Sequence, residues 1–408
     1  MSTVGTEYLI GLCHIFNMKK QKILVIANGI FGKRPGLSGG DVRFLEIVRR
    51  WHKDGHEIHL LSSREALAVC RIFGFSPIMH VIDGPDEASR TTFITRALQT
   101  SFHLPKSLDS FTKGIIYSVN DSVFDSIPAF KLKLRHRNTI CWAAVIHWLP
   151  PFPPWKRKRS TLFNSVMFYI NERISVTLIK YFADALLAVS DTTLEQLRTF
   201  GVTMNKVHSV KCGVNFDEVR AILKNVHTKI YDAIFMKRAQ PVKGIFDFVD
   251  IWKRVVAVFP NAKLLIVGGE GNEEKLLKEQ IRQAHLERNM HSVGYIQNFT
   301  EKFTYMAQSK LFVLPSYEEN WAIVIGEAMA SGVPVVAYEL RELRYVWSNY
   351  VTWSPVGDSA KFAERIIELL KNSKKREQMK IRGMRFIRSF DWNDIAKDEL
   401  LYILSHKK

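Results

Sequence analysis

Short unbroken apolar runs, each followed by a turn and a helix-length segment, recur along this chain, and the series is run twice. KILVIA (22–27) leads through a glycine-rich stretch into DVRFLEIVRRWHKDG (41–55) and then EIHLLSS (57–63). GIIYSV (114–119), TICWAAVI (139–146) and ALLAVS (185–190) continue this first series. The pattern restarts after KNVHTK (224–229) with YDAIFM (231–236), KLLIVGG (263–269), LFVLPS (311–316) and PVVAY (334–338). Helix-like stretches such as IFDFVDIWKRVVAVF (245–259) and EKLLKEQIRQAHLER (274–288) lie between them. Strands that are apolar throughout, rather than at alternate positions, are buried on both faces, as in a parallel sheet covered by helices. The expected fold is therefore α/β: two facing, doubly wound, Rossmann-like domains. In such sheets ligands bind beyond the carboxyl ends of the strands, so the cleft between the domains is the expected site.

The boundaries follow the pattern. Residues 1–19 read as an N-terminal extension, 20–212 as the first domain, 213–229 as a linker and 230–390 as the second domain, leaving 391–408 as a terminal segment. A chain of 408 residues accommodates two such domains. Its 47% hydrophobic and 24% charged residues exclude a disordered polymer. The net charge of +18 favours anionic partners: phosphates, acidic membrane surfaces or nucleic acid. Cys13, Cys70, Cys141 and Cys212 are scattered, with no paired ligand spacing, which argues against a zinc site or disulfide framework and fits a reducing compartment. Apolar residues 8–16 are too short, and lack the preceding basic residues, for a signal peptide. Met18 stands just ahead of the first strand, so residues 1–17 read as an upstream segment of little structural weight. No apolar run reaches eighteen residues, so no transmembrane helix is expected, and the predicted location is cytoplasmic.

Candidate chemistry collects at strand ends. In GKRPGLSGGD (32–41), Gly39 and Gly40 precede a helix, where bare backbone N–H groups suit a phosphate; the alternative is a connector with Asp41 as a helix cap. In MKRAQPVKG (236–244), Arg238 and Lys243 flank a bend, and two cations there can neutralise a diphosphate. IVGGEGNEEK (266–275) places Gly268 in a turn that fits one wall of a nucleotide pocket. SYEENWAIVIGEAMASGVPVVAY (316–338) carries Glu319 in a loop and Glu327 in the early turns of a helix. Carboxylates accept hydrogen bonds only, which suits ribose or sugar hydroxyls, while the N–H groups of residues 321–324 suit phosphate oxygens. Glu327 can equally be a charge that complements the helix dipole. His147 directly follows a first-domain strand and so faces the same cleft, although an isolated histidine is often structural. PPFPPWKRKRS (150–160) joins Phe152 and Trp155 to four consecutive cations, Lys156, Arg157, Lys158 and Arg159, ahead of a largely apolar helix-like run. This suits an anionic membrane surface, or simply a solvated basic loop; no nucleic-acid reading module accompanies it.

Taken in order, these motifs resemble the retaining GT-B glycosyltransferases of glycosyltransferase family 4 (glycosyl transferases group 1), from about residue 20 to the C-terminus. The resemblance rests on SGGD with DGHEIHLLSS, AVS with KCGVNFDEV, R-x4-KG at 238–244, IVGGEG, E-x7-E at Glu319 and Glu327 with EAMASGVPVVA, and PVGD with SFDW. It implies that Arg238 and Lys243 hold the donor diphosphate, Glu327 accepts from ribose and Glu319 contacts the transferred sugar. It also implies that Gly39 and Gly40 close on the phosphates, that His147 lies beside the donor sugar, and that the helix after Trp392 crosses back to the first domain. Asn320, Trp321, Ala322, Ile323 and Val324 complete the donor edge. Where the family commonly has E-G-F-G, this chain has Glu319-Asn320-Trp321-Ala322, and RELRYVW (341–347) replaces a usual glycine pair. Both departures bear on which sugar is carried.

The implied activity is retaining transfer of a hexosyl or related sugar from a nucleotide diphosphate sugar, the donor substrate, to an acceptor hydroxyl or phosphate. A lipid-linked or membrane-surface acceptor is favoured, with a soluble acceptor as the alternative. No Asp-x-Asp motif occurs, so Arg238 and Lys243 stand where a metal would, no cofactor is expected, and the leaving phosphate serves as base. An epimerase of the same fold would need acid and base groups around the sugar, and a non-catalytic anion or nucleic-acid binder would not need the two glutamates. The sequence does not specify an oligomeric state.

Overall fold

The computed structural model describes residues 19–29, 37–82, 99, 103–150, 152–156, 161–268 and 272–407. Among them, seven strands form one parallel sheet: β1 (Lys22–Ile26), β2 (Glu57–Ser62), β3 (Ile78–Val81), β4 (Gly114–Ser118), β5 (Ile140–Ile146), β6 (Ala185–Ala188) and β7 (Val207–Ser209), in the order β3-β2-β1-β4-β5-β6-β7. A second, six-stranded parallel sheet contains β8 (Tyr231–Met236), β9 (Leu264–Val267), β10 (Met290–Ser292), β11 (Ser309–Leu314), β12 (Val335–Tyr338) and β13 (Val351–Ser354), in the order β10-β9-β8-β11-β12-β13. The helices that position the site or join the lobes are α1 (Gly39–Lys53), α2 (Leu162–Phe182), α3 (Asp191–Thr199), α4 (Phe216–Leu223), α5 (Phe299–Ala307), α6 (Ile323–Ala330), α7 (Arg341–Trp347) and α8 (Trp392–Ser405). This is the expected pair of Rossmann-like units.

The unbroken apolar strands behave as their composition requires. Ile23 and Val25 of β1 pack on one face of the first sheet with Phe44, Trp51 and Tyr117, whereas Leu24 and Ile26 pack on the other with Trp142 and Ile179. Side chains alternate across a strand, so both faces need cover. Each fully buried aliphatic side chain contributes roughly 1.5–3 kcal/mol against exposure. Strand order reverses beside β1 in the first sheet and beside β8 in the second, because each of these strands is flanked by its sequence neighbour and by a strand reached through a crossover. The loops leaving their carboxyl ends diverge there and open a crevice.

The segment read as a linker holds helix α4, which packs on α5 and α6 of the second lobe. Its apolar positions Phe216, Val219, Ile222 and Leu223 recur at helical spacing, which explains why it folds rather than spans. The chain crosses between lobes at two adjacent points. The Val214 N–H donates to the Phe390 carbonyl at 2.8 Å, and Val214 and Asp391 form a parallel bridge. Gly213 has no side chain because a Cβ there would stand 2.8 Å from the Trp392 ring and 2.9 Å from the Phe390 carbonyl oxygen. Beyond this crossing α8 lies against α1: Trp51 Nε1 donates to the Ala396 carbonyl, and Arg43 meets Glu399 at 2.5 Å.

Candidate active site

Two helix starts face each other across the cleft. The structure corrects the placement of Gly39 and Gly40, which form the first turn of α1 rather than a loop before it. Ser38 caps that turn: its Oγ accepts from the Asp41 N–H at 3.1 Å, and the Asp41 carboxylate accepts from the Ser38 N–H at 2.7 Å. This reciprocal pair is a capping box in which Ser38 is the N-cap and Asp41, read from the sequence as the cap, stands three residues on and closes the box. Opposite, α6 begins at Ile323, and a Cβ on Gly39 would come within 3.8 Å of Ile323 Cδ1. First-turn N–H groups lack partners within the helix and carry the positive end of its dipole, so an anion between two such starts is favoured twice. The sequence-predicted residues Gly39, Gly40, His147, Arg238, Lys243, Gly268, Glu319, Asn320, Trp321, Ala322, Ile323, Val324 and Glu327 all line one cavity of about 950 Å³.

Cations at the end of β8 organise the carboxylates. Lys243 Nζ lies 3.0 Å from Glu319 Oε1 and also donates to the Glu318 carbonyl at 2.6 Å. Lys237, which the sequence reading passed over, lies 3.0 Å from Glu319 Oε2. Ser316 Oγ adds a 2.9 Å donation to Oε1. Burial alone would raise the Glu319 carboxyl, but Lys237 and Lys243 more than offset it and hold the group down at about 2. Burial, in turn, lowers Lys237. Arg238 is exposed and makes no ion pair or side-chain hydrogen bond among the described residues, so its guanidinium remains available to a ligand. Gly244 is obligatory at this bend: its φ is +72°, and a Cβ would overlap the Pro315 carbonyl oxygen at 1.9 Å. The Gly268 N–H donates to the Gly294 carbonyl at 2.6 Å, fixing the neighbouring wall.

Glu327 lies in the second turn of α6, paired at 2.6 Å with Lys302 of α5, the second cation missed in the sequence. That contact engages Oε1 and leaves the other oxygen as an acceptor toward the cavity. No motif surrounds Lys302; only the packing of α5 brings it here. Lys237 had a local signal, since it adjoins Arg238 at a strand end, where successive residues turn toward opposite sides.

His147 directly follows β5 and is held at three points. Its N–H donates to Asp121 at 2.8 Å, and its carbonyl accepts from Thr193 Oγ1 at 2.9 Å. Its Nε2 lies 3.0 Å from the Val119 carbonyl, which can only accept, so Nε2 carries a proton and Nδ1 is left to meet a ligand. A Cβ on Gly40 would stand 3.2 Å from this ring, so the glycine lets the helix approach the histidine.

The replaced motif behaves differently from a plain donor edge. The Asn320 side chain does not face an open subsite: its Oδ1 accepts from Ser190 Oγ at 2.6 Å, and its Nδ2 donates to the His147 carbonyl, both in the other lobe. Trp321 is 8% exposed, and its ring packs 6.1 Å from both Trp347 and Phe390, so the larger aromatic serves the core. Trp347 Nε1 also donates to the Trp321 carbonyl at 2.7 Å. Ala322 has φ +55° and ψ +67°, left-handed values that favour glycine. Ala322→Gly should therefore raise the unfolding free energy by about 1 kcal/mol, since glycine relieves more strain than its extra chain entropy takes back. Urea unfolding measures this; a lower midpoint in the variant would show that the left-handed turn carries no strain.

Phe152 and Trp155 do not line the cavity. They are 69% and 70% exposed, with the Phe152 ring 5.8 Å from Tyr169 of α2. The side chain of Lys156, and Arg157, Lys158 and Arg159 entirely, lie outside the described residues, as does most of the proposed N-terminal extension.

Residues 37–218 match the family described as Glycosyltransferase Family 4, and residues 216–386 match Glycosyl transferases group 1. A phosphatidyl-myo-inositol mannosyltransferase of Mycobacterium leprae is 32% identical over 160 residues, 38% of this chain and 41% of that protein. An N-acetyl-alpha-D-glucosaminyl L-malate synthase of Bacillus anthracis is 25% identical over 241 residues, 52% of this chain and 62% of that one. Both alignments therefore span less than two thirds of the relative's length. The Anabaena protein HepE, solved with UDP and glucose, superposes with a TM-score of 0.72 at 17% identity, covering 94% of this chain and 99% of that chain. Its likeness is one of fold, the GT-B arrangement of two facing Rossmann-like units. The two family matches run almost end to end across both lobes, and the chain belongs to the family 4, group 1 glycosyltransferases of GT-B fold.

Proposed function

We propose that this chain transfers a sugar from a nucleotide diphosphate sugar to an acceptor, with retention at the anomeric carbon and without a metal ion. The observation that carries this reading is the convergence of two helix starts, Arg238, Lys237 and Lys243 on one cavity that also holds Glu319 and Glu327. Breaking the anomeric C–O bond leaves the electron pair, and developing negative charge, on the diphosphate. Arg238, Lys243 and the first-turn N–H groups meet that charge without reorganising. The acceptor oxygen forms its bond on the face the phosphate leaves, and its proton passes to the departing phosphate oxygen. Glu327 accepts from ribose hydroxyls, Glu319 orients the transferred sugar, and His147 Nδ1 meets a sugar hydroxyl. HepE, solved with UDP and glucose, supports a nucleotide-sugar donor. Cations poised at the strand end support charge neutralisation by side chains.

The acceptor reading rests on the surface of α2. Phe163, Met167, Ile170 and Ile174 are exposed at helical spacing, and Leu162, Phe152 and Trp155 extend the patch. The cationic run at 156–159 follows directly in sequence. An apolar stripe beside clustered cations suits the surface of an anionic bilayer. No helix among the described residues is long and apolar enough to cross a membrane, so the contact we propose is peripheral, at the cytoplasmic face. Buried free thiols at Cys70, Cys141 and Cys212 agree with a reducing compartment. A relative that mannosylates a phosphatidylinositol supports a lipid acceptor, while one that makes a malate glycoside supports a soluble acceptor as the second reading.

Product analysis by mass spectrometry, with a panel of nucleotide sugars offered with and without lipid extract, tests both. Transfer to lipid is the expected result, and transfer to small molecules selects the second reading. Isomerised donor, or no turnover with any donor, overturns the proposal. In flotation with anionic liposomes, wild-type protein is expected to rise with the vesicles and a variant neutralised at Lys156 to Arg159 to remain below. Failure of both to float removes the membrane.

A further inference from the structure

We infer that Asn320 is a positioning residue, a clasp that makes closure of the cleft and alignment of His147 with Glu319 a single event. It stands next to Glu319 on the loop from β11 of the second lobe, and both polar atoms of its side chain reach the first lobe. The orientation of the carboxamide follows from chemistry. A backbone carbonyl can only accept, so the group against the His147 carbonyl is the NH2, and the oxygen is left for Ser190. Ser190 then spends its one proton on Asn320, while its lone pairs accept from the Thr193 N–H at 3.2 Å and from a neighbouring threonine hydroxyl at 2.9 Å. Thr193 in turn donates to the same His147 carbonyl. Every donor in this chain has an acceptor, and the two links made by Asn320 depend on the lobes being together.

The geometry explains the side chain at a position where glycine would leave a gap. His147 is fixed from its own lobe by Asp121 and Val119, but no described residue of that lobe ties it to Glu319. Asn320 supplies that tie, because it is the residue after Glu319 and bonds the residue that is His147. A second tie between the lobes, Arg341 of α7 to Glu195 of α3 at 2.7 Å, is solvent-exposed on both sides and touches neither group. Exposed pairs of this kind contribute little, so closure does not rest on it.

This inference relies on the proposed roles of His147 and Glu319 beside the donor sugar, and the experiment separates the two ideas. Asn320→Asp keeps the shape and the bond from Ser190 but turns an acceptor onto the His147 carbonyl; Asn320→Ala removes both bonds. Both variants are expected to lose kcat about 10- to 100-fold, with donor KM within about threefold of wild type, and Asp to be the worse of the two. Arg341→Ala is expected to stay within about twofold of wild-type kcat. Independently of activity, spin labels introduced by Arg135→Cys and Lys278→Cys report the distance between lobes without donor. The distribution is expected to lengthen or broaden in both Asn320 variants and to stay put in Arg341→Ala. An unchanged distribution, a loss confined to donor KM, or an equal loss in Arg341→Ala overturns the clasp. Wild-type protein that turns over no donor sinks the proposed function, and the distance measurement alone then decides the clasp.

Discussion

Arg238→Ala and Lys243→Ala each reduce kcat/KM for sugar transfer roughly 100- to 1,000-fold, the scale observed when one preorganised charge or donor is removed from a transition-state site. The reason lies in where charge develops. The diphosphate becomes more negative as the anomeric bond breaks, so a cation at its oxygens stabilises the transition state more than the ground state. The two variants should not be equivalent. Arg238 makes no ion pair among the described residues, and its removal deletes one cation and nothing else. Lys243 also occupies Glu319 Oε1 and ties the loop through the Glu318 carbonyl. Without it, Glu319 keeps only Lys237 as a paired cation, and its carboxyl should rise from about 2. A carboxylate held low is ionised throughout the working range; one that rises becomes protonated as pH falls. The acid limb of the pH–rate profile should therefore move to higher pH in Lys243→Ala and stay in place in Arg238→Ala. Initial rates across the acid range measure both effects, and wild-type rates in both variants would sink the assignment of these cations.

Glu399→Ala lowers the unfolding free energy by about 3–5 kcal/mol, the cost of leaving a buried charge without its partner. Arg43 and Glu399 are 1% and 0% exposed, and their closest atoms are 2.5 Å apart. Tyr117 donates to Glu399 Oε1 at 2.5 Å, and Arg43 donates to Tyr117 at 3.1 Å and to the Lys211 carbonyl at 3.3 Å. Burial disfavours the Arg43 charge, and Glu399 more than offsets that, so the guanidinium is held firmly protonated. Burial beside Glu399 keeps the Tyr117 hydroxyl protonated as well. Removing the carboxylate leaves a cation with only neutral partners, whereas replacing both charges removes the problem. The double variant Arg43→Met, Glu399→Leu should recover most of the loss. Denaturant unfolding of the three proteins decides; a Glu399→Ala variant within about 1 kcal/mol of wild type would mean that α8 is anchored by other contacts.

Much of the architecture was readable in the chain because strands of a covered parallel sheet announce themselves: they are apolar at every position, as Ile23 to Ile26 show by filling both faces. The strand-end residues followed, since a loop leaving a parallel strand at the switch point has one place to go. What escaped was set by local capping or by distant packing. Gly39 and Gly40 read as loop residues, although Ser38 and Asp41 three positions apart already specify a capping box that puts both glycines inside the helix. Lys302 reaches Glu327 only through the docking of α5 on its neighbours, and α4 hid within a stretch that looked like a connector. The partners of Asn320 come from the other lobe, so from the sequence its side chain read as part of the donor edge. Arg43 and Glu399 are far apart in sequence, and each alone looks like a surface charge on an amphipathic helix.

The paired crossing at Val214 and Asp391 has a consequence for how such proteins diversify. Because the chain leaves one lobe and returns to it through neighbouring residues, everything between is topologically an insertion whose two ends touch. A cassette with adjoining ends can be exchanged without stretching either host end. Grafts between relatives at these two points would pair the first lobe of one protein with the second lobe of another, and each new combination would need only two junctions.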